Sequence, residues 1–317
     1  MKILFIDACH PLLFEALIDD GHHCIEGHNL SYDEVSKMIP NLNGIIIRSR
    51  IPLDKKILEK AENLLFIARA GAGMENIDVG FAESENIKCI NSPEGNKDAV
   101  GEHATGMLLS LLNNLNRADQ QVRIGEWIRE ENRGHELQGK KVGIIGFGNM
   151  GSSFASKLQG FDCKILAYDK YKKSFGNVLV KESSLQEIFN EADVLSIHVP
   201  LTDETEYFID DAFLKKFKKE VYFINTSRGK CVRTDDLVMN IKSGKVLGAC
   251  LDVIEFEDLS FEKFSRKSNL FENPSWQFLI KSDKVILSPH IAGWTFESNE
   301  KIAKALVTKI REAIAMF

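Results

Sequence analysis

Short runs of apolar, β-branched residues recur along the chain, between longer stretches in which apolar residues return every three or four positions. Residues 2–6, 44–47, 64–68 and 88–90 read as buried strands, with helical stretches such as 32–39 and 55–60 between them. A second series begins at Val142, with strands predicted at 142–146, 164–168, 194–198, 221–225, 247–252 and 285–287. Continuous apolar strands separated by helix-length segments are the pattern of βαβ units and parallel sheets. Two such series predict an α/β chain with two open parallel-sheet domains.

The joint between the series carries its own signal. Asn91-Ser92-Pro93-Glu94-Gly95-Asn96 is turn chemistry, and a helical period follows from 98 to about 117. Val100, Ala104, Met107, Leu108, Leu111, Leu112 and Leu115 form its apolar stripe. A long helix placed straight after a Pro/Gly turn suits a hinge. Residues 299–316 form another amphipathic helix with no strand after it, which predicts a return to the first domain. The expected division is therefore 1–97 plus 291–317 for a discontinuous domain, with 98–290 inserted in it.

Composition narrows the class. A length of 317 residues suits two domains, and an apolar share of 44% with 27% charged excludes a disordered chain, a collagen repeat and a coiled-coil rod. Forty basic residues against 46 acidic ones leave a net charge of −6, so no basic field draws the chain to nucleic acid or anionic lipid. No apolar run approaches the roughly 18 residues that cross a bilayer, and the first residues read as a strand rather than a signal peptide. The six cysteines make no CxxC pair and no zinc spacing, which predicts reduced thiols in a cytoplasmic enzyme. His22, His23 and His28 have no carboxylate or cysteine at ligand spacing, so an exposed loop and no metal are expected there.

Residues 141–151 place Gly146, Phe147, Gly148, Asn149, Met150 and Gly151 as Gly-x-Gly-x-x-Gly between a strand and a helix. Gly146 permits the tight turn, Gly148 lets backbone approach a pyrophosphate, and Gly151 brings the helix close to the strand. Such a motif alone is weak. Here the next strand ends in Asp169, eighteen positions after Gly151, where an acid accepts from a ribose 2′-hydroxyl and repels a 2′-phosphate. Lys170, Lys172 and Lys173 pull the other way. The carboxylate weighs more, and NAD is the expected cofactor.

Three further segments follow predicted strands: Arg228 after 221–225, Glu255 and Glu257 after 247–252, and His290 after 285–287. Ligands bind at the carboxyl ends of strands in open α/β sheets. There an arginine can fork a carboxylate, a histidine can trade a hydroxyl proton, and an acid can hold the imidazole in one tautomer. From spacing alone, a surface arginine, a helix-capping glutamate and a loop histidine remain open. Glu102-His103 on the long helix reads as an interdomain or dimer contact.

The order of these motifs resembles the D-2-hydroxyacid dehydrogenase family over nearly the whole length, most of all its phosphoglycerate branch. The matching segments are 69–78, 91–96, 146–151 with Asp169, 198–202, 225–229, 251–253 and 288–293. The resemblance implies a flavodoxin-like catalytic domain from both chain ends and an inserted Rossmann domain that forms a homodimer through the long helix. It assigns Arg228 to the substrate carboxylate and carbonyl, His290 to proton transfer and Glu257 to the imidazole. It gives the backbone of Ala72 and Gly73 to the substrate carboxylate and Asp252 to the nicotinamide carboxamide. His198, Val199, Pro200, Thr226, Ser227, Ala292 and Gly293 complete the implied cofactor site.

Two departures stand out. Asp258 follows Glu257 where the family commonly has proline, so Glu255 competes for the acid's role. The stretch to His290 is long and carries Phe261, Phe264, Phe271 and Trp276, which reads either as an added helix or as a mobile loop. Arg48, Arg50 and Arg69 follow strands of the first series, and a phosphorylated 2-hydroxy acid needs such cations. The expected reaction is the NAD-dependent oxidation of D-3-phosphoglycerate and its reverse, with reduction of hydroxypyruvate or glyoxylate as the alternative. A nicotinamide-sensing, corepressor-like module is the alternative of a different class. The branch's C-terminal regulatory domain, and serine feedback through it, are not expected.

Overall fold

The computed structural model describes residues 1–258 and 270–316. The chain forms two compact units, one built from Met1–Lys97 with the stretch from Trp294 onward, the other from Asp98–Glu257 with the stretch ending at Gly293.

The first unit has strands β1 (Lys2–Phe5), β2 (His23–Glu26), β3 (Gly44–Ile47), β4 (Phe66–Arg69) and β5 (Lys88–Asn91). All pairings are parallel, in the order β2-β1-β3-β4-β5, which is the flavodoxin order. Alternation along the strands divides the core. Leu4, Ile6, Ile45 and Ile47 pack on one face. Ile3, Phe5 and Ile46 pack on the other with Ile302, Leu306 and Ile310. Those last three lie on the helix Phe296–Ile314, which starts earlier than its apolar period suggests. Thr295 and Ser298 cap it reciprocally, each side chain accepting from the other's backbone N–H at 3.0 Å.

The second unit has β6 (Lys141–Ile145), β7 (Lys164–Tyr168), β8 (Val180–Glu182), β9 (Val194–Ile197), β10 (Val221–Asn225), β11 (Val246–Leu251) and β12 (Val285–Leu287). Its order is β8-β7-β6-β9-β10-β11-β12, again all parallel. This is the doubly wound arrangement, in which the strand order reverses between β6 and β9. One face buries Val142, Ile144 and Ile224 against Leu108, Leu111 and Leu112. The other buries Ile145, Leu195 and Phe223 against Leu237 and Ile241.

β2 and β8 escaped the hydrophobic reading because both are short edge strands, His-Cys-Ile-Glu and Val-Lys-Glu, with too few apolar residues to form a run. The long helix also differs from expectation, running Pro93–Leu112 with a separate helix Leu115–Arg123 after it. Proline is well placed in a first helical turn, so the Ser-Pro-Glu-Gly run opens the helix instead of preceding it. Asn114 breaks it at φ +53°, a conformation asparagine tolerates. In the long stretch before His290, Trp276 on the helix Pro274–Leu279 is buried in the second unit's core. Phe271 is exposed, and Phe261 and Phe264 lie outside the described residues. No helix among the described residues is long and apolar enough to cross a membrane.

Candidate active site

The turn after β6 is built as its glycines suggest. Gly146 stands at φ +90°, and a Cβ there would meet the His198 carbonyl oxygen at 2.5 Å. A methyl on Gly151 would overlap the Gly146 carbonyl oxygen, so the helix Asn149–Lys157 packs directly on the turn. Gly148 faces open space and caps that helix without a side-chain acceptor. Asn149 and Met150 form the helix's first turn. Its N–H groups are therefore offered to an anion.

Asp169, just past β7, closes the same end of the sheet. Its Oδ2 accepts from Phe147 N at 2.8 Å, and its Oδ1 from Tyr171 N and Lys172 N at 2.9 Å each. Burial works to raise its pKa. The three backbone donors and the Lys172 charge together outweigh that and hold the carboxyl below its usual range. The neighbouring lysines have other partners: Lys170 pairs with Glu204 at 2.5 Å, and Lys172 Nζ donates to the Phe147 carbonyl at 3.2 Å. Lys173 Nζ lies 3.4 Å from the Asp169 carbonyl oxygen.

In the second unit, two buried polar atoms just past strand ends have no partner among the described residues: His198 Nδ1 and Thr226 Oγ1. His198 bonds through Nε2 to Ser196 Oγ at 2.8 Å, and burial pushes its pKa down to about 3. It is a neutral ring. Val199 packs against Gly146, and the Pro200 carbonyl accepts from Thr205 Oγ1 at 2.6 Å. Ser227 is tied to Asn225 Oδ1 through both N and Oγ, at 2.9 and 2.8 Å. An open glycine turn, an exposed helix start, an acid at the second strand and two unpartnered polar atoms together fit a dinucleotide.

The chemistry-bearing residues gather at β10, β11 and β12. His290 Nδ1 lies 2.7 Å from Glu257 Oε2, and Glu257 Oε1 accepts from Ile254 N at 2.5 Å. Glu255 turns elsewhere, accepting from Thr234 N at 2.6 Å at the start of the helix Thr234–Lys242. Of the two acids, Glu257 is the one whose carboxylate meets the imidazole. With Nδ1 beside a carboxylate, Nε2 is the ring's other nitrogen, the one an acid–base role would use. Arg228 follows β10, with Nη1 donating to the Ser227 carbonyl at 2.7 Å.

Asp252, 1% exposed, organises the loop that carries His290. Its Oδ1 accepts from Ser288 Oγ at 2.6 Å and Ile291 N at 2.9 Å, and its Oδ2 from Ala292 N at 2.8 Å. Its carbonyl accepts from His290 N at 2.7 Å. His290 itself sits at φ +56°, a left-handed conformation uncommon for a side chain of this size. Gly293 ends the second unit's last stretch. His103 was missed as part of this site: its Nε2 lies 2.9 Å from Ser288 Oγ. Its signal was a polar residue three after Val100 and four before Met107, on the buried stripe.

In the first unit, Arg48 follows β3 and Arg69 ends β4. Arg69 Nε donates to the Arg48 carbonyl at 3.2 Å, and the Arg48 guanidinium lies 3.8 Å from the centre of the Trp294 ring. Arg50 has a structural task, bonding Asp7 Oδ1 and the carbonyls of Ile6, Gly27 and Leu30. Ala72 and Gly73 lie in the turn after β4, where the Ala72 carbonyl accepts from Asn91 Nδ2 at 2.6 Å.

Comparison with known proteins agrees with this geometry. Residues 105–292 match the family model for the D-isomer specific 2-hydroxyacid dehydrogenase, NAD binding domain. Hydroxypyruvate reductase of Thermotoga maritima is 35% identical over 90% of this chain and 89% of its own length. D-3-phosphoglycerate dehydrogenase of Archaeoglobus fulgidus is 31% identical over 98% of this chain, which spans 56% of that protein. Among solved structures, D-lactate dehydrogenase from Aquifex aeolicus, crystallised with NAD and lactic acid, superposes with a TM-score of 0.83 at 28% identity, covering 99% and 96% of the two chains. With the dinucleotide turn and the His290–Glu257 pair on one sheet edge, these matches establish that the chain belongs to the D-2-hydroxyacid dehydrogenase family and carries its NAD-binding domain.

Proposed function

We propose that the chain interconverts D-3-phosphoglycerate and 3-phosphohydroxypyruvate with NAD. The observation that carries this reading is the pairing of Arg48 and Arg69 at the ends of adjacent strands β3 and β4. Arg50 bonds Asp7 and three carbonyls, and this reading assigns the phosphate to the guanidinium groups of Arg48 and Arg69, which stand at the ends of adjacent strands. Lactate and glyoxylate bring no second anion to such a pair.

In this reading Arg228 forks the substrate carboxylate and polarises the ketone, with the Ala72 and Gly73 N–H groups as further donors. Hydride transfer is the chemistry that NAD would supply when bound. His290 Nε2 takes the hydroxyl proton in oxidation and returns it in reduction, while Glu257 holds Nδ1–H and balances the ring's charge. Gly146 to Gly151 and Asp169 hold the cofactor, and the acid favours NAD over NADP. A cytoplasmic setting is supported by six free thiols. A homodimer through the second unit is supported by exposed apolar residues after the long helix, among them Ile124 and Trp127.

Reduction of hydroxypyruvate or glyoxylate is the second reading, favoured by the extent of the Thermotoga maritima match. The test compares catalytic efficiency with 3-phosphohydroxypyruvate and with glyoxylate. Arg48→Ala and Arg69→Ala should each lower the first by about ten- to a hundredfold, the weight of one charge-assisted bond to a remote part of the substrate, and spare the second. Arg228→Ala should injure both alike. Equal loss on both substrates in the Arg48 and Arg69 variants would make these arginines structural and leave the second reading standing.

A further inference from the structure

The helix Pro93–Leu112 reaches the loop that carries His290 through one polar contact chain. His103 Nε2 lies 2.9 Å from Ser288 Oγ, and Ser288 Oγ lies 2.6 Å from Asp252 Oδ1. A hydroxyl has a single proton. The carboxylate at 2.6 Å is a far stronger acceptor than the Met107 sulfur at 3.8 Å, so Ser288 donates to Asp252. Toward His103 the hydroxyl must then accept, and Nε2 must carry a hydrogen. The distance of 3.5 Å from the same Nε2 to Asp252 Oδ1 favours the same tautomer.

What this chain holds is the conformation of His290. Asp252 accepts from the N–H groups of Ile291 and Ala292 with its carboxylate and from His290 N with its carbonyl. Those bonds pin His290, whose backbone stands at φ +56°, and the two residues after it. If Ser288 loses its donor, the carboxylate is free to turn, and the left-handed turn loses the restraint that offsets its strain. The imidazole would then drift from its place even though Glu257 still reaches Nδ1.

We propose that His103 and Ser288 are positioning residues for His290, acting through Asp252. The proposal rests on the reading of His290 as the group that moves the proton. Glutamine at 103 can present an amide N–H where Nε2 stands, with no charge and no ring. His103→Gln should therefore retain most of the parent's function, whereas His103→Ala and Ser288→Ala should not.

The experiment measures kcat, KM for glyoxylate and hydroxypyruvate, melting temperature, and the isotope effect with deuterated NADH. His103→Ala and Ser288→Ala should lose about ten- to a hundredfold in kcat, as misplacement of a reacting group by a fraction of an ångström to 1 Å does. KM should stay near the parent values, and the isotope effect should rise as chemistry becomes slower. His103→Gln should recover kcat and the isotope effect together. Nitrogen-15 spectra of the parent should show the His103 Nε2–H form. A parent-like kcat in folded His103→Ala, a loss with an unchanged isotope effect, no recovery in His103→Gln, or an Nδ1–H form would each overturn the proposal. His290→Ala is the control, expected to lose about 10² to 10⁴ in turnover. If that variant keeps turnover, the reading of His290 has failed; if it is inactive while His103→Ala is not, only the positioning role has failed.

Discussion

His198 shows how far burial alone can set a residue's state. Its ring is enclosed behind β9 beside Phe154, with Ser196 Oγ its one hydrogen-bond partner among the described residues, and desolvation pushes its pKa down to about 3. In the unfolded chain a histidine titrates near 6.5. Between those values the unfolded state binds a proton that the folded state refuses, so stability rises with pH across that window. The contribution is complete above about 6.5 and is lost as pH falls toward 3, at no more than ~1.4 kcal/mol per pH unit from this one group. Urea unfolding at pH 4.5, 5.5 and 7 should show the slope, and His198→Gln should flatten it. An identical slope in both proteins would mean that the ring is protonated where it stands.

At the scale of elements, the turn from β6 into the helix Asn149–Lys157 separates two uses of glycine. A methyl at 151 would strike the Gly146 carbonyl, and Gly146 has little room to yield because the His198 carbonyl fills the place of its own Cβ. Gly151→Ala should therefore cost about 1–3 kcal/mol in stability, as overpacking does, and weaken NADH binding with it. Gly148 has nothing within 4 Å, and its backbone at φ −80° suits any residue. Gly148→Ala should leave the melting temperature unchanged while lowering NADH affinity, because the methyl stands where backbone meets the pyrophosphate. Calorimetry and fluorescence titration of both variants check the contrast. Loss of stability in Gly148→Ala, or none in Gly151→Ala, would reverse the assignment.

At the scale of the molecule, the helix Leu115–Arg123 buries none of its side chains, and it leads into Ile124 at 75% and Trp127 at 80% exposure. Leu115 and Val122 add to this apolar surface. A patch of this kind marks an interaction site more often than an idle surface. In the proposed homodimer it is covered by the second copy. Sedimentation should show a dimer at micromolar concentration, and Ile124→Asp with Trp127→Asp should shift it to monomer without unfolding it. A parent protein that sediments as a monomer would remove the dimer from the reading.

Much of this was legible along the chain. Two parallel-sheet units follow from the alternation of apolar runs and helical periods, because period reports which faces are buried. The dinucleotide turn is equally local: three glycines, a strand and a distant acid are read in one pass. Edge strands β2 and β8 were not legible, since each is three or four residues long with two of them polar, too short a run of apolar residues to read. Nor was the helix that opens at Pro93, where turn residues and a first helical turn share the same composition. Between Glu255 and Glu257, only the family's Asp-to-Glu spacing favoured Glu257; residue type alone left Glu255 as a competitor. The acids stand two positions apart, and only the backbone path after β11 sends one to a helix start and the other to His290. His103 likewise gained its meaning from residues 185 positions away. Sequence determined which elements form and which residue types are at hand, because those depend on neighbours along the chain. Tertiary structure decided which donor meets which acceptor, because hydrogen bonds depend on distance in space.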